Sequence, residues 1–203
     1  MTGEELFNRL APLVSPMLEA SLHRRDLCVL ATRIVIDVAE YYGLRVEPVA
    51  VQLVAYNAAF ASHVENCFLD VDVSHWKPID GSHSVGAGFG LLNGQPTPQG
   101  YWNGHLIATC DGWFGDFAIS QVERPQHGIR TGPAIVAPYR GAAMWQLSQD
   151  GTTIEYNRIE DEGYRNGPDW RDRVRRRRLV GPLIRTLQGR FACDHGSLDG
   201  GGD

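Results

Sequence analysis

The chain has 203 residues and a mass of 22.5 kDa, which is the length of one ordinary domain and too short for two large ones. Its 43% hydrophobic and 21% charged residues exclude a wholly disordered chain and a collagen-like or coiled-coil fibre. The net charge of −5 argues against a protein whose whole surface binds nucleic acid.

The sequence favours a cytoplasmic protein. No run of about 18 apolar residues is present, and the first residues carry Glu4 and Glu5 where a secretory signal would be basic. The four cysteines, Cys28, Cys67, Cys110 and Cys193, form no C-x-x-C pair and are too few for a disulfide-stapled scaffold. We therefore expect free thiols, no membrane partner and a cytoplasmic location.

Two helices are predicted at the start of the chain. Thr2 and Glu5 have the spacing of a capping box, and the helix that follows is limited to two or three turns by Pro12 and Pro16. The second helix spans about 27–42, from an N-cap at Asp26 to a stop at Gly43. Its apolar stripe comprises Leu27, Leu30, Ala31, Ile34, Val38 and Tyr41.

The middle of the chain combines a strand with a long loop. Residues 44–56 are rich in valine and predict a strand, and residues 57–68 are compatible with a helix. Between 78 and 104 glycine and proline are so frequent that we expect an irregular loop, and loops of that length are usually functional or mobile.

Two hairpins and a basic helix complete the predicted elements. Strands 105–110 and 113–119 are separated by Asp111-Gly112, and strands 143–149 and 152–159 by Asp150-Gly151. A helix is predicted over 169–188, interrupted near Gly181-Pro182. The expected architecture is α+β, with one domain over 1–190, a flexible tail over 191–203, and an antiparallel sheet packed against the helix that bears Cys28.

The first hairpin brings a histidine and a carboxylate together. If Asp111-Gly112 forms a two-residue turn, Cys110 pairs with Trp113 and Ile107 faces Asp116. His105 and Asp116 then lie diagonally on one face of the sheet, within reach of each other. A carboxylate in that position orients an imidazole and stabilises its protonated form.

Cys28 is the preferred nucleophile because it lies in the first turn of the 27–42 helix. There the helix dipole and unpaired backbone N–H groups favour a thiolate and can stabilise an oxyanion. Cys110 is a competing nucleophile, but it adjoins a turn. Gln52, Asn57 and the Trp102 indole are candidates for a second oxyanion donor.

These residues resemble a known family core. The run 26–31 (DLCVLA) leading into Tyr42-Gly43-Leu44, followed by 104–107 (GHLI) and 115–117 (GDF), is similar to the transglutaminase-like branch of papain-fold proteins. That branch includes transglutaminases, arylamine N-acetyltransferases, peptide N-glycanases and bacterial cysteine peptidases. The likeness covers about residues 26–120, although Leu106 stands where the group usually has an aromatic residue.

The resemblance implies cysteine-dependent acyl chemistry on a protein, a peptide or a small amide. Cys28 would act as nucleophile, His105 as general base and acid, and Asp116 as the orienting residue, and no cofactor is required. Hydrolysis, as in a thiol protease or deamidase, and acyl transfer to an amine both remain open. A non-catalytic binding or scaffold protein on the same fold is an alternative, because a buried cysteine, histidine and aspartate can each be structural.

Two loop features suggest other roles. His63, Cys67, His75 and His83 fall close together, but they lack a complete set of metal-ligand spacings, so we predict no metal site. The glycine-rich stretch 86–90 does not match a phosphate-binding loop. It is interpreted as a flexible lid over Cys28 and His105, with apolar walls from Trp76, Phe89 and Trp102.

The C-terminal segment is basic although the whole chain is acidic. The run of arginines there could bind nucleic acid, another polyanion or an acidic partner protein. Alternatively, these arginines pair internally with acids such as Glu155, Glu160, Asp161 and Glu162. The run comprises Arg171, Arg173, Arg175, Arg176, Arg177 and Arg178.

Overall fold

The computed structural model describes residues 1–22, 27–64, 80–89, 91–92, 95–96 and 102–195. It is an α+β protein built on a curled antiparallel sheet, which confirms the predicted class. The helices are α1 Gly3–Leu10, α2 Val14–Leu22, α3 Cys28–Tyr41, α4 Ala58–Ala61, α5 Pro168–Arg171 and α6 Arg173–His195. The strands are β1 Glu47–Asn57, β2 Ser84–Ala87, β3 Leu91–Leu92, β4 Gln95–Pro96, β5 His105–Cys110, β6 Trp113–Asp116, β7 Ile135–Pro138, β8 Met144–Gln149 and β9 Thr152–Arg158.

The long strand β1 organises the main sheet, whose order is β7-β6-β5-β1-β9-β8. On one side the first half of β1 pairs with β5, from Glu47 to Val51, and its second half pairs with β2. On its other side β1 pairs with β9. β1 therefore joins the two hairpins that the sequence predicts separately.

Helix α3 packs on one face of the sheet, against the buried residues Leu106 and Ala108 of β5. The predicted apolar stripe is buried as far as Val38, whereas Tyr41 is 56% exposed and was placed there wrongly. Each fully buried leucine or isoleucine contributes roughly 1.5–3 kcal/mol. The helix begins at Cys28 after Leu27, and the predicted N-cap Asp26 lies outside the described residues.

Both hairpin turns form as predicted. Asp111 and Gly112 have φ of 50° and 80°, and Asp150 and Gly151 have φ of 50° and 76°, as a type I′ turn requires. Cys110 pairs with Trp113 and Ala108 with Gly115. The strand predicted to reach residue 119 ends at Asp116, because the chain turns into a 3₁₀ helix over Ile119–Val122.

The other differences concern short strands and the lengths of two helices. β2, β3 and β4 interrupt the predicted irregular loop, and β7 extends the sheet beyond β6. Helix α2 forms with Pro16 in its first turn, where proline is tolerated. The helix predicted over 57–68 is reduced to α4 among the described residues, because residues 65–68 lie outside them.

The basic segment is interrupted at a different position from the one predicted. The break falls at Asp172, between α5 and α6, whereas Pro182 lies inside a continuous α6. α6 runs to His195, into the segment predicted as a flexible tail, and the remainder lies outside the described residues. Among the described helices, none is both long enough and apolar enough to cross a membrane.

Candidate thiol site

His105 and Asp116 form a fully buried pair at the start of β5 and the end of β6. The His105 Nε2 and Asp116 Oδ2 atoms are 2.8 Å apart. The structure thus brings these two side chains together as the hairpin register requires. Since the carboxylate occupies Nε2, the ring orientation is set and Nδ1 is left for other partners.

Asp116 is held by two further hydrogen bonds. The Tyr156 hydroxyl of β9 donates to Asp116 Oδ2 at 3.0 Å, and the Ala118 backbone N–H donates to Oδ1 at 3.1 Å. Both carboxylate oxygens are therefore bonded, which a buried charge needs. The contact with Ala118 also bends the chain out of β6.

Cys28 is the first residue of α3 and is 8% exposed. Its Sγ donates a long hydrogen bond to the Gly104 carbonyl at 4.0 Å, directly before His105. Through this contact the helix N-terminus meets the start of β5. The three predicted site residues therefore gather at one point, from α3, β5 and β6.

His105 has a strongly raised pKa. Burial alone would lower it, but the charge of Asp116, the hydrogen bond to Asp116, and the hydrogen bond and charge of a Cys28 thiolate together raise the pKa of His105 to about 10. The imidazole is therefore held as an imidazolium at neutral pH. An imidazolium stabilises an adjacent thiolate.

This pKa predicts how stability changes with pH. His105 has a folded pKa of about 10 and an unfolded pKa of about 6.5, so its stabilising contribution is complete below about pH 6.5 and lost as pH rises through 10. The unfolding free energy of the wild type, measured by urea denaturation, should therefore fall across this window relative to that of His105→Gln. Parallel profiles for the two proteins would contradict the assignment of this proton to His105.

Gln121 is a neighbour of His105 that sequence reasoning missed. Its side-chain amide contacts His105 Nδ1 from the 3₁₀ helix that follows β6. An amide can donate to a neutral Nδ1, or accept from Nδ1–H through its oxygen when the ring is protonated. Gln121 can therefore steady the ring in both charge states. Its position depends on the exit of the chain from β6, which no local motif signals.

Of the three proposed oxyanion donors, Trp102 has a buried donor without a partner next to the residue that precedes His105. Its indole lies against Gly104, and its buried Nε1 has no hydrogen-bond partner among the described residues. Asn57 is engaged elsewhere, because its amide donates to Gly81 and His127 carbonyls at 2.8 Å each. Gln52 Oε1 accepts from Asn157.

Cys110, the competing nucleophile, is in an unfavourable environment. Its side chain is buried at the end of β5, against Gly3 of α1. Burial and the neighbouring Asp111 raise the pKa of Cys110 to about 11, so its thiol stays protonated at neutral pH. Cys67 and the side chain of Cys193 lie outside the described residues.

The metal and lid hypotheses concern partly described segments. Cys67, His75 and Trp76 lie outside the described residues. The His83 ring lies against the His127 ring, with centroids 4.0 Å apart and planes tilted by 33°. No cluster of three metal-binding side chains occurs in the part of the chain that the structure describes. The Phe89 ring lies against Gly86 of β2, and Gly88 approaches the β1 backbone closely.

Comparison with protein-family models, curated proteins and solved structures finds no match to this chain. The structure itself shows an α+β fold.

Proposed function

We propose that this protein carries out cysteine-dependent acyl chemistry on an amide or related bond. Cys28 is the nucleophile, His105 is the general base and acid, and Asp116 orients the imidazole. The observation that carries the proposal is the buried 2.8 Å His105–Asp116 pair, next to a thiol at a helix N-terminus. A nucleophile, a base and a residue that orients the base are the parts such chemistry needs.

The element order supports a papain-like core of the transglutaminase-like branch. The cysteine opens a helix, and the histidine and aspartate follow on adjacent antiparallel strands of a sheet packed against that helix. Within the described residues, this order of elements is the observation that supports the proposed branch.

The reaction proceeds in two balanced steps. Cys28 and His105 react as a thiolate–imidazolium pair, with the Cys28 proton already on the imidazole. The sulfur attacks the carbonyl carbon, and the Cys28 backbone N–H stabilises the oxyanion. The bond from carbon to the leaving nitrogen then breaks, and His105 returns the proton to the departing amine. In the second step water or an amine attacks the thioester, and Cys28 Sγ leaves with a proton supplied through His105.

Acyl-enzyme formation is the direct test. Incubation with p-nitrophenyl acetate is expected to transfer one acetyl group to Cys28, because an activated ester bypasses the unknown specificity for the leaving group. Intact-mass spectrometry and peptide mapping locate the acetyl group, and nitrophenol release gives the rate. Cys28→Ala should remove the labelled peptide, whereas Cys110→Ala, the matched control, should leave it unchanged.

The role of His105 is tested in the same assay. His105→Gln keeps a donor towards Asp116 but cannot accept the thiol proton, and we expect acetylation to slow by about 100-fold. Equal labelling of wild type and Cys28→Ala would overturn the proposal. Adding an amine then distinguishes transfer from hydrolysis, because a transferase yields the acetylated amine.

A further inference from the structure

A second candidate site lies between α3 and α6, away from the thiol. An open cavity of about 300 Å³ is lined by Arg33, Asp37, Glu40, Arg173, Arg176, Arg177 and Val180. Asp37 lies about 13 Å further along α3 than Cys28, at about 1.5 Å per residue. The volume of the cavity is at the lower end of the roughly 300–1,000 Å³ typical of small-molecule sites.

Two arginines of this cavity are fixed by one carboxylate. Arg33 Nη2 lies 2.6 Å from Asp37 Oδ1, and Arg176 Nε donates to Asp37 Oδ2 at 2.7 Å. Arg176 also donates to the Trp170 carbonyl, and Arg33 stacks over the Trp170 ring. These contacts hold two guanidinium groups in place before a ligand arrives, which lowers the cost of ordering them on binding.

The other two arginines are available. Arg173 and Arg177 lie four positions apart on α6, so they share one face of the helix, and both are exposed. Neither forms an ion pair within the described ranges, where Arg175 pairs with Asp169 and Arg176 with Asp37. Of the acids that the sequence suggested as internal partners, Glu162 pairs with Arg165 and Glu155 accepts from Tyr56.

The charge of the cavity identifies the class of ligand. Four guanidinium groups and two carboxylates line it, so two positive charges are left without a counter-charge in the lining. Planar guanidinium forks bind phosphate oxygens in pairs, and a phosphate group at neutral pH carries nearly two negative charges.

We propose that the cavity between α3 and α6 binds a phosphate group, either free phosphate or the phosphate of a small phosphomonoester. Arg173 and Arg177 supply the charge that meets the ligand, above the Arg33–Asp37–Arg176 cluster. This site is independent of the acyl chemistry proposed for Cys28. It also gives a role to Arg173 and Arg177, which form no ion pair within the described residues although the whole chain is acidic.

Isothermal titration calorimetry of the full chain tests the proposal, with inorganic phosphate and phenyl phosphate at constant ionic strength. The double variant Arg173→Gln/Arg177→Gln is expected to weaken phosphate binding about tenfold or more. The matched control is Arg178→Gln/Arg185→Gln, which removes the same charge from exposed positions of α6 outside the cavity. The control should bind like wild type.

A variant that removes a negative charge from the cavity should have the opposite effect on phosphate binding and makes the test stricter. Glu40 is 63% exposed and places a negative charge at the cavity, so Glu40→Gln should tighten phosphate binding without disturbing the core. Tighter binding of phenyl phosphate than of inorganic phosphate identifies a phosphomonoester ligand, and the reverse identifies free phosphate. The proposal is overturned if the wild type binds no phosphate. It is also overturned if the cavity and control variants weaken binding equally, because that result indicates diffuse attraction of anions.

Discussion

Replacing Asp116 by alanine is expected to reduce the free energy of unfolding by about 3–5 kcal/mol. The carboxylate is fully buried, pairs with His105, and accepts hydrogen bonds from Tyr156 and the Ala118 N–H. Its removal leaves a buried imidazole whose charge is no longer compensated and two donors with no acceptor. Urea denaturation at pH 7 measures the loss.

Two further variants serve as controls, one for the loss of a surface carboxylate and one for the loss of the buried charges without a cavity. Asp80→Ala removes an exposed carboxylate and should change stability by no more than about 0.5 kcal/mol. Asp116→Asn combined with His105→Gln replaces the ion pair by neutral amides of similar size, and should be less destabilising than Asp116→Ala. A loss below about 1 kcal/mol for Asp116→Ala would show that the pair does not support the fold.

At pH 7 iodoacetamide is expected to alkylate Cys28 about a hundredfold faster than Cys110. The pKa of Cys110 is raised to about 11, so only a very small fraction of its thiol is ionised at this pH. Cys28 instead lies at a helix N-terminus beside His105, whose pKa is raised to about 10. Peptide mapping of a time course under native conditions gives the rate at each of the four cysteines, including Cys67 and Cys193.

The alkylation experiment has its own controls. His105→Gln should slow the reaction at Cys28 and leave Cys110 unchanged, because only Cys28 depends on the imidazolium. Unfolding in urea should bring the four rates together, which shows that the difference belongs to the folded state. Equal rates at all cysteines in the native protein would refute an activated Cys28.

Fast alkylation and acyl transfer answer different questions. A reactive Cys28 that accepts no acetyl group from p-nitrophenyl acetate would favour the binding or scaffold alternative on the same fold. Both results together would support turnover through an acyl-enzyme. The cavity variants Arg173→Gln/Arg177→Gln should leave both reactions unchanged, because their arginines lie at a separate site.

Much of the candidate site was predictable because it depends on short-range geometry. The turn at Asp111-Gly112 needs positive φ at both positions, which these residues accept more readily than most. Once that turn is set, the pairing of Cys110 with Trp113 follows, and His105 is placed near Asp116. The helix start near Cys28 was likewise predictable, from the apolar periodicity of the residues after it.

The sequence by itself therefore determined the α+β class, both hairpin turns and the contact of His105 with Asp116, because each depends on backbone preferences within a few residues. Only the tertiary structure decided the contacts of Tyr156 with Asp116, Gln121 with His105, and Arg176 with Asp37. These side chains come from separate elements, and their meeting depends on which strands pair with β1 and where α6 packs on α3. Such choices are made by burial of the whole apolar surface, to which every element contributes and which no local pattern encodes.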